Sequence, residues 1–171
     1  TGARARSLPV LPAAPPVVAY RSLADYRVAR ERSGEGKRAL VVGGGFVGAE
    51  LAAGLRDVGT DVHMVFPETA LGANRFPDGL ARAVTERYVS RGVSVHAGTT
   101  IESAERAGQC VRVRLGDGFV GEFDLVAVGV GAAPNTELAA AAGLQVSDGV
   151  EVDAALRALD PDGRPVPGVF A

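Results

Sequence analysis

The chain has 171 residues, of which 47% are hydrophobic, and its formal net charge is -2. This composition predicts a packed globule and excludes disorder, while the lack of a long basic run argues against nucleic acid or an anionic membrane surface as a partner. No apolar run approaches the roughly 20 residues of a membrane span, and the single cysteine, Cys110, excludes an intrachain disulfide and is typical of a cytoplasmic protein.

The N-terminal segment is predicted to be extended. Proline removes backbone donors and disfavours helix in the residue before it, and four prolines fall between residues 7 and 16: Pro9, Pro12, Pro15 and Pro16. We therefore interpret residues 1–19 as a linker. Ser22 is a suitable N-cap for a helix of about ten residues that follows.

An alternation of strands and helices comes next. The short apolar run Ala39–Val42 precedes glycines and is typical of a buried parallel strand. Helices are predicted over Phe46–Val58 and from Pro77 to about Arg91, and strands over Asp61–Phe66 and Val93–His96. This β-α-β-α-β order implies parallel strands joined by right-handed crossovers.

The buried face of the first of these helices follows from its spacing. Apolar residues recur at helical intervals at Val47, Leu51, Leu55 and Val58, and Gly59 then ends the helix. We expect these four side chains to face the sheet.

The pattern then changes to three short strands, predicted at Thr99–Arg106, Cys110–Leu115 and Phe119–Phe123. Glycine-containing turns separate them. The middle strand alternates apolar residues with arginines, so one face of this small sheet is expected to be exposed to solvent. A buried strand at Leu125–Val128 and a short helix at Thr136–Ala142 follow. The predicted fold is α/β: a Rossmann-like parallel sheet with helices on both faces and a three-stranded antiparallel β-meander crossover.

The glycine loop is the motif that carries chemistry. Residues Gly43-Gly44-Gly45-Phe46-Val47-Gly48 match G-x-G-x-x-G between a predicted strand and a predicted helix, which is the context of a dinucleotide-binding loop. Gly43 permits the tight turn, Gly45 the close approach of a pyrophosphate, and Gly48 close packing of the helix. The N–H groups and partial positive charge of the helix N-terminus would bind phosphates. The alternative is a glycine-rich turn that binds nothing.

An acidic residue is expected near the end of the second strand, where it would hydrogen-bond the adenosine ribose. Phe66 cannot do this, but Glu68 lies two residues further on, about 20 residues after the loop, as the fingerprint requires. We expect Glu68 to favour NADH over NADPH, with Arg75 the neighbour most able to accept a 2′-phosphate. The alternative is a solvated loop glutamate.

Residues 37–52 resemble the NAD-binding segment of FAD-dependent pyridine nucleotide–disulfide oxidoreductases. Within that family, the Phe66–Glu68 run and its spacing to Pro77 are similar to apoptosis-inducing-factor-like and ferredoxin-reductase-like members. The first residues, Thr1–Arg4, resemble the stretch where the family's chain leaves the FAD domain, and Pro167–Ala171 resembles the strand where it returns.

The resemblance implies a domain organisation and a function. Residues 20–160 would form an NAD(H)-binding domain, and residues 161–171 would return toward an FAD domain that this chain lacks. NADH would pass a hydride to FAD, and electrons would go on to an acceptor of the small redox-protein type. We expect this chain alone to be inactive, because hydride transfer needs its acceptor in near-attack contact. The alternative is a non-catalytic NADH-sensing or interaction module.

The resemblance also implies roles for single residues. The glycine loop would contact the pyrophosphate, and Phe46 would lie near the nicotinamide. Glu50 would hydrogen-bond toward the carboxamide, Glu68 would take the adenosine ribose, and Gly129 would pass close to the nicotinamide ribose. Two alternatives stay open: Phe46 as a core residue, and Glu50 as a first-turn acid favoured by the helix dipole.

Several features of the family are missing. The chain has no Cys-x-x-Cys, so a dithiol relay is excluded, and Cys110 is interpreted as a small apolar filler. His63 and His96 lie in predicted strands without metal-site spacing, and we expect core or edge histidines and no metal. We expect no second dinucleotide-binding loop for the flavin.

Overall fold

The computed structural model describes residues 2–171; Thr1, where the predicted linker begins, lies outside the described residues. Two compact units are present. One comprises Ala5–Gly131, and the other joins the N-terminal residues up to Arg4 to Ala132–Ala171.

Strands and helices alternate along much of the described chain. The helices are α1 (Leu23–Glu31), α2 (Phe46–Asp57), α3 (Asp78–Ser90) and α4 (Glu137–Ala141). The strands are β1 (Ala3–Ala5), β2 (Val17–Ala19), β3 (Arg38–Val42), β4 (Asp61–Phe66), β5 (Ser94–Ala97), β6 (Ile101–Ala107), β7 (Cys110–Leu115), β8 (Val120–Phe123), β9 (Leu125–Val128), β10 (Ala132–Pro134), β11 (Arg157–Leu159) and β12 (Pro165–Phe170).

The larger unit is built on a five-stranded parallel sheet with the order β2-β9-β3-β4-β5. Strand β3 is central and β4 lies beside it. Strand β2 lies within the predicted linker, where Val17–Ala19 pairs with Val126–Val128 of β9. A strand of three residues directly after two prolines is too short for its periodicity to show, and only pairing with β9 defines it.

The two faces of this sheet are covered differently. Val41 and Met64 pack in a core cluster with residues of α1, α2 and α3. Leu40 and Val65 face the other way and pack against β7 and β8. Helices were expected on both faces of the sheet. In this unit the second face is covered instead by the apolar side of the three-stranded antiparallel sheet β6-β7-β8.

The buried face of α2 is also shifted from the predicted one. Its buried residues are Gly48, Ala52 and Leu55, whereas Val47 and Val58 are 45% and 38% exposed. Small residues let the helix approach the sheet closely, so the line of contact runs along Gly48 and Ala52 and turns the two valines outward.

A second G-x-G-x-x-G string occurs at Gly116–Gly121. It forms the turn between β7 and β8 and the first half of β8, and it precedes no helix. The Oδ1 atom of Asp117 accepts a hydrogen bond from the N–H of Phe119 at 2.9 Å within this turn. This string is therefore a hairpin, which lacks the strand-to-helix context of a dinucleotide-binding loop.

The smaller unit contains two two-stranded sheets, β1 with β10 and β11 with β12. In the second, β11 and β12 are antiparallel, so the predicted return segment, residues 161–171, contains a paired strand. Helix α4 follows β10, and Arg4 forms a 2.6 Å ion pair with Glu137 of this helix. Among residues 2–171 no helix is both long and apolar enough to cross a membrane.

Candidate functional site

The predicted site residues meet at one edge of the parallel sheet. Strands β3, β4 and β9 are parallel and in register, so their carboxyl ends lie together. The glycine loop follows β3, Glu68 follows β4 after one intervening residue, and Gly129 follows β9 directly. Ligands of open α/β sheets bind at this edge.

Two glycines of the site are required by the packing of the protein itself. Gly43 has a φ of 117°, and a Cβ there would lie 2.6 Å from the carbonyl oxygen of Gly129. A Cβ on Gly48 would lie 2.0 Å from the carbonyl oxygen of Gly43. The start of α2, the end of β3 and the end of β9 are thus held together by backbone contacts that no side chain could enter.

Gly45 differs from these glycines. Its φ of -85° and ψ of -174° are open to any residue, and a Cβ built on it would meet no protein atom within 4 Å beyond its two chain neighbours. The packing of this chain therefore gives no reason for glycine here. The open space lies at the N-terminus of α2, where a dinucleotide-binding loop admits the pyrophosphate.

The N-terminus of α2 has no partner from the protein's own side chains. Gly45 is its N-cap, no side chain caps it within the described residues, and its first turn contains no acid. The first N–H groups of a helix lack intrahelical acceptors, and together with the helix dipole they favour an anion. The arrangement can therefore hold a phosphate group.

A second loop is attached to the glycine loop. The N–H of Gly72 donates to the carbonyl oxygen of Gly44 at 2.9 Å. This contact places Phe76 edge-on to Phe46, with 5.9 Å between ring centroids, and Arg75 over the Phe46 ring at 5.7 Å. The sequence analysis singled out Arg75 but did not predict that its loop is hydrogen-bonded to the glycine loop. Gly72 was the residue that could have indicated this bond.

Phe46 and Glu50 are both exposed, and neither alternative role considered for them, a core residue and a first-turn acid, fits the structure. Phe46 is 56% exposed and is not a core residue. Glu50 lies beyond the first turn of α2, which holds no acid, so the helix dipole does not account for it. Glu50 lines a cavity of about 660 Å³ that Val47 and Tyr20 also line.

Glu68 is half-buried just beyond the end of β4. Its carbonyl oxygen accepts a hydrogen bond from the N–H of Gly98 at 2.8 Å, which ties the loop after β4 to the turn after β5. Within residues 2–171 its carboxylate takes part in no hydrogen bond or ion pair. The carboxylate is therefore available to a ligand at the carboxyl edge.

The described residues contain no group of three or more histidine, cysteine or acidic side chains that could hold a metal ion. Cys110 is half-buried and has a free thiol.

Comparison with known proteins identifies the family of the chain. Residues 1–171 match the family described as pyridine nucleotide-disulphide oxidoreductase. The chain is 38% identical over 149 residues to the ferredoxin–NAD(+) reductase component of the anthranilate 1,2-dioxygenase system of Burkholderia cepacia, covering 84% of this chain and 36% of the relative. It is 35% identical over 156 residues to the putative mitochondrial apoptosis-inducing factor 1 of Drosophila melanogaster, covering 85% and 21%.

Among solved structures, putidaredoxin reductase in its covalent complex with putidaredoxin is similar in fold. The TM-score is 0.84 at 30% identity, over 94% of this chain and 40% of that one. The chain belongs to the pyridine nucleotide-disulphide oxidoreductase family, as the resemblance indicated. It spans between about a fifth and two-fifths of the length of these three proteins.

Proposed function

We propose that this member of the pyridine nucleotide-disulphide oxidoreductase family binds NAD(H) across the carboxyl edge of its parallel sheet and positions the nicotinamide for hydride transfer to FAD. The observation that carries the proposal is the open space at Gly45. Glycine is present there without an internal reason, directly before an uncapped helix N-terminus. A pyrophosphate needs both features.

The remaining site residues fit the two ends of the same cofactor. Glu68, with its carboxylate unengaged, would accept hydrogen bonds from the adenosine ribose hydroxyls. At the other end, the exposed ring of Phe46 and the carboxylate of Glu50 would lie toward the nicotinamide, and Gly129 toward its ribose. The cofactor-binding set is Gly43, Gly44, Gly45, Phe46, Val47, Gly48, Glu50, Glu68 and Gly129.

FAD would be held by residues outside this chain, since the second glycine string forms a hairpin and offers no helix N-terminus. Bound there, the flavin supplies the hydride-accepting chemistry, while the residues of this chain bind and orient the nicotinamide. A small redox protein is the acceptor that we propose. Its support is the similarity to a ferredoxin–NAD(+) reductase component and to a reductase crystallised with putidaredoxin.

A pair of matched glycine substitutions tests cofactor binding. Neither Gly45→Ala nor Gly79→Ala brings a Cβ within 4 Å of a protein atom other than those of its chain neighbours and its own helix backbone, and the two positions lie at the N-terminal ends of α2 and α3. We expect Gly45→Ala to weaken NADH binding at least about tenfold, which corresponds to about 1.4 kcal/mol, and Gly79→Ala to leave it unchanged. Calorimetric titration of the purified chain measures both, with FAD as the control ligand.

The same titrations also test the proposed separation of the two cofactors. The chain should bind NADH weakly, because contacts from the flavin side are missing while association entropy is still lost. It should purify colourless and should not oxidise NADH without added flavin. Stoichiometric FAD in the purified chain, or equal effects of the two glycine substitutions, would contradict the proposal.

A second candidate is an NADH-responsive interaction module without sustained turnover. The 35% identity to a putative apoptosis-inducing factor is the observation that favours it. Both candidates use the same cofactor site, so NADH binding does not separate them. A flavin-loaded form of the full-length protein does: steady NADH turnover with a redox-protein acceptor supports the reductase, and a change of association state without turnover supports the module.

A further inference from the structure

Helix α1 has one buried side and one exposed side. On the buried side, Ala29 and Val28 pack in or against the core cluster on one face of the parallel sheet. Four residues of the opposite side are all exposed and are spaced i, i+3, i+4 and i+7: Leu23, Tyr26, Arg27 and Arg30. This spacing places them in one stripe along the helix. Leu23 is 63% exposed and Tyr26 48%, so two large apolar side chains lie where a surface helix normally carries polar ones.

The two arginines of this stripe are not neutralised by nearby acids. Within residues 2–171 neither guanidinium takes part in a hydrogen bond or an ion pair. Asp25, one of the two acids of α1, is engaged at the helix N-terminus, where its carboxylate accepts from the N–H of Ser22 at 2.7 Å. The other, Glu31, lies on the flank of the stripe, and in the described part of the chain it forms no ion pair with Arg27. The stripe therefore presents two positive charges to solvent.

Positive charge is concentrated in the part of the sequence that contains α1. Residues 1–38 contain eight arginines and lysines and three acids, whereas residues 39–171 contain ten and seventeen. An acidic partner would thus be attracted to the N-terminal part of the chain and repelled by much of the rest. Charge that is segregated in this way orients an encounter between two proteins.

A cavity of about 660 Å³ adjoins the stripe. Tyr26 and Arg30 line it from α1, and Val47 and Val58 line it from α2. The two valines are 45% and 38% exposed, so the apolar floor of the cavity is open to solvent. We call the stripe and this cavity together the α1 face. Tyrosine and arginine are enriched in protein interfaces, and an exposed apolar patch with a polar rim is typical of an interaction surface.

The α1 face adjoins the end of the candidate site that would hold the nicotinamide, because Glu50 lines the same cavity. We propose that the α1 face docks the acidic surface of a small redox protein, the electron acceptor of this enzyme. The identity of this partner rests on the proposed function, and its charge on the two arginines of the stripe. Bound there, the acceptor would lie beside the nicotinamide end, where the flavin of the complete protein receives its hydride.

The charged and the apolar residues of the α1 face have different roles in docking. Arg27 and Arg30 lie at the solvent-exposed rim, so they steer the encounter and make its rate fall with ionic strength. Tyr26 belongs both to the stripe and to the lining of the cavity, and its ring supplies the contact area of an interface anchor. An acceptor must dissociate after each reduction, and a small interface of this kind fits a transient complex.

Titration of the chain with an oxidised [2Fe–2S] ferredoxin of net negative charge tests the proposal, at about 20 mM and about 300 mM salt. We expect the double variant Arg27→Gln and Arg30→Gln to weaken binding at least about fivefold at low salt and by less at high salt. Arg82→Gln with Arg87→Gln is the matched control, because these exposed residues of α3 change the net charge equally. The control pair should weaken binding by less than about twofold.

Two single variants separate docking from general charge attraction. Glu31→Gln removes the acid on the flank of the stripe, so it should tighten ferredoxin binding about twofold, which damage to the fold would not do. Tyr26→Ala should weaken ferredoxin binding at least about tenfold at both salt concentrations, because its contribution is contact area. Poly-glutamate is the control ligand, and its binding should not respond to Tyr26→Ala.

The flavin-loaded full-length protein shows whether the α1 face is free in the complete molecule. With NADH as donor, the double variant Arg27→Gln and Arg30→Gln should raise KM for ferredoxin at least about fivefold and leave KM for NADH unchanged. Equal effects of the two arginine pairs, or equal weakening of ferredoxin and poly-glutamate binding by Tyr26→Ala, would overturn the proposal. An unaltered KM for ferredoxin would also overturn it and would show that another part of the protein covers this face. Ferredoxin titration requires no NADH, so a chain that fails to bind NADH contradicts the proposed function separately.

Discussion

Replacing Glu68 by glutamine tests how the domain selects between NADH and NADPH. Glutamine keeps a hydrogen-bonding group for the ribose but removes the charge. A carboxylate about 4 Å from one unit of phosphate charge costs about 1 kcal/mol in water and about 4 kcal/mol at an effective dielectric constant of 20. Since Glu68 is half-buried, the penalty against NADPH lies between these limits, which corresponds to a preference for NADH of about fivefold to several hundredfold.

The assay is calorimetric titration of the wild-type chain and of Glu68→Gln with both cofactors at one ionic strength. We expect the ratio of the two dissociation constants to fall at least about fivefold in the variant, mainly through tighter NADPH binding. Glu86→Gln, an exposed acid on α3, changes the net charge equally and should leave the ratio unchanged. If the wild-type chain binds NADPH as tightly as NADH, or if Glu68→Gln leaves the ratio unaltered, the assignment of Glu68 to the ribose is wrong.

Two further predictions concern stability. Gly48→Ala places a Cβ 2.0 Å from the Gly43 carbonyl oxygen, so we expect it to lower the free energy of unfolding by about 3 kcal/mol in urea titrations; a loss below 1 kcal/mol would show that the loop adjusts freely. Ser22→Ala removes the side-chain cap that receives the N–H of Asp25 at 3.3 Å, and we expect a loss of about 1 kcal/mol, whereas an unchanged midpoint would show that α1 does not contribute to cooperative unfolding.

Local patterns in the sequence predicted much of the fold and named the residues of the candidate site. The strand β3, the glycine loop and α2 are contiguous, so spacing and glycine positions alone identify them, and their order with β4 implies the parallel sheet. Strand β2 was missed because its three residues become a strand only through pairing with β9. The buried face of α2 was predicted from apolar spacing alone. The small side chains at Gly48 and Ala52 decide which residues approach the sheet, and spacing does not show this.

The contact between His63 and His96, whose Nδ1 and Nε2 atoms lie 3.2 Å apart, illustrates what a sequence pattern cannot show. Its geometry depends on the register of β4 against β5, in which Val65 is paired with His96, and on a turn more than 20 residues away in sequence that brings in Asp117. Sequence reasoning correctly predicted core or edge histidines in strands, and His63 is indeed buried. Arg38 from a third strand also contacts this pair, with its Nη2 atom 3.2 Å from Nε2 of His63, and no spacing rule connects it to either histidine.

The N-termini of α1 and α2 differ in a way that allows stability and function to be separated at Gly45. Helix α1 is capped by its own Ser22 and Asp25 in a capping box, whereas α2 begins at an uncapped glycine with extended backbone angles, in which an aspartate would be a better N-cap. We therefore expect Gly45→Asp to raise the free energy of unfolding by a few tenths to about 1 kcal/mol, through capping and the helix dipole. The same carboxylate would occupy the phosphate position and repel the pyrophosphate, so NADH binding should be lost.

Urea titration and calorimetry measure the two effects on one variant. Opposite changes in stability and binding show that this helix end is reserved for an anionic ligand; a destabilised variant, or a stabilised one that still binds NADH, would show that Gly45 serves the fold instead.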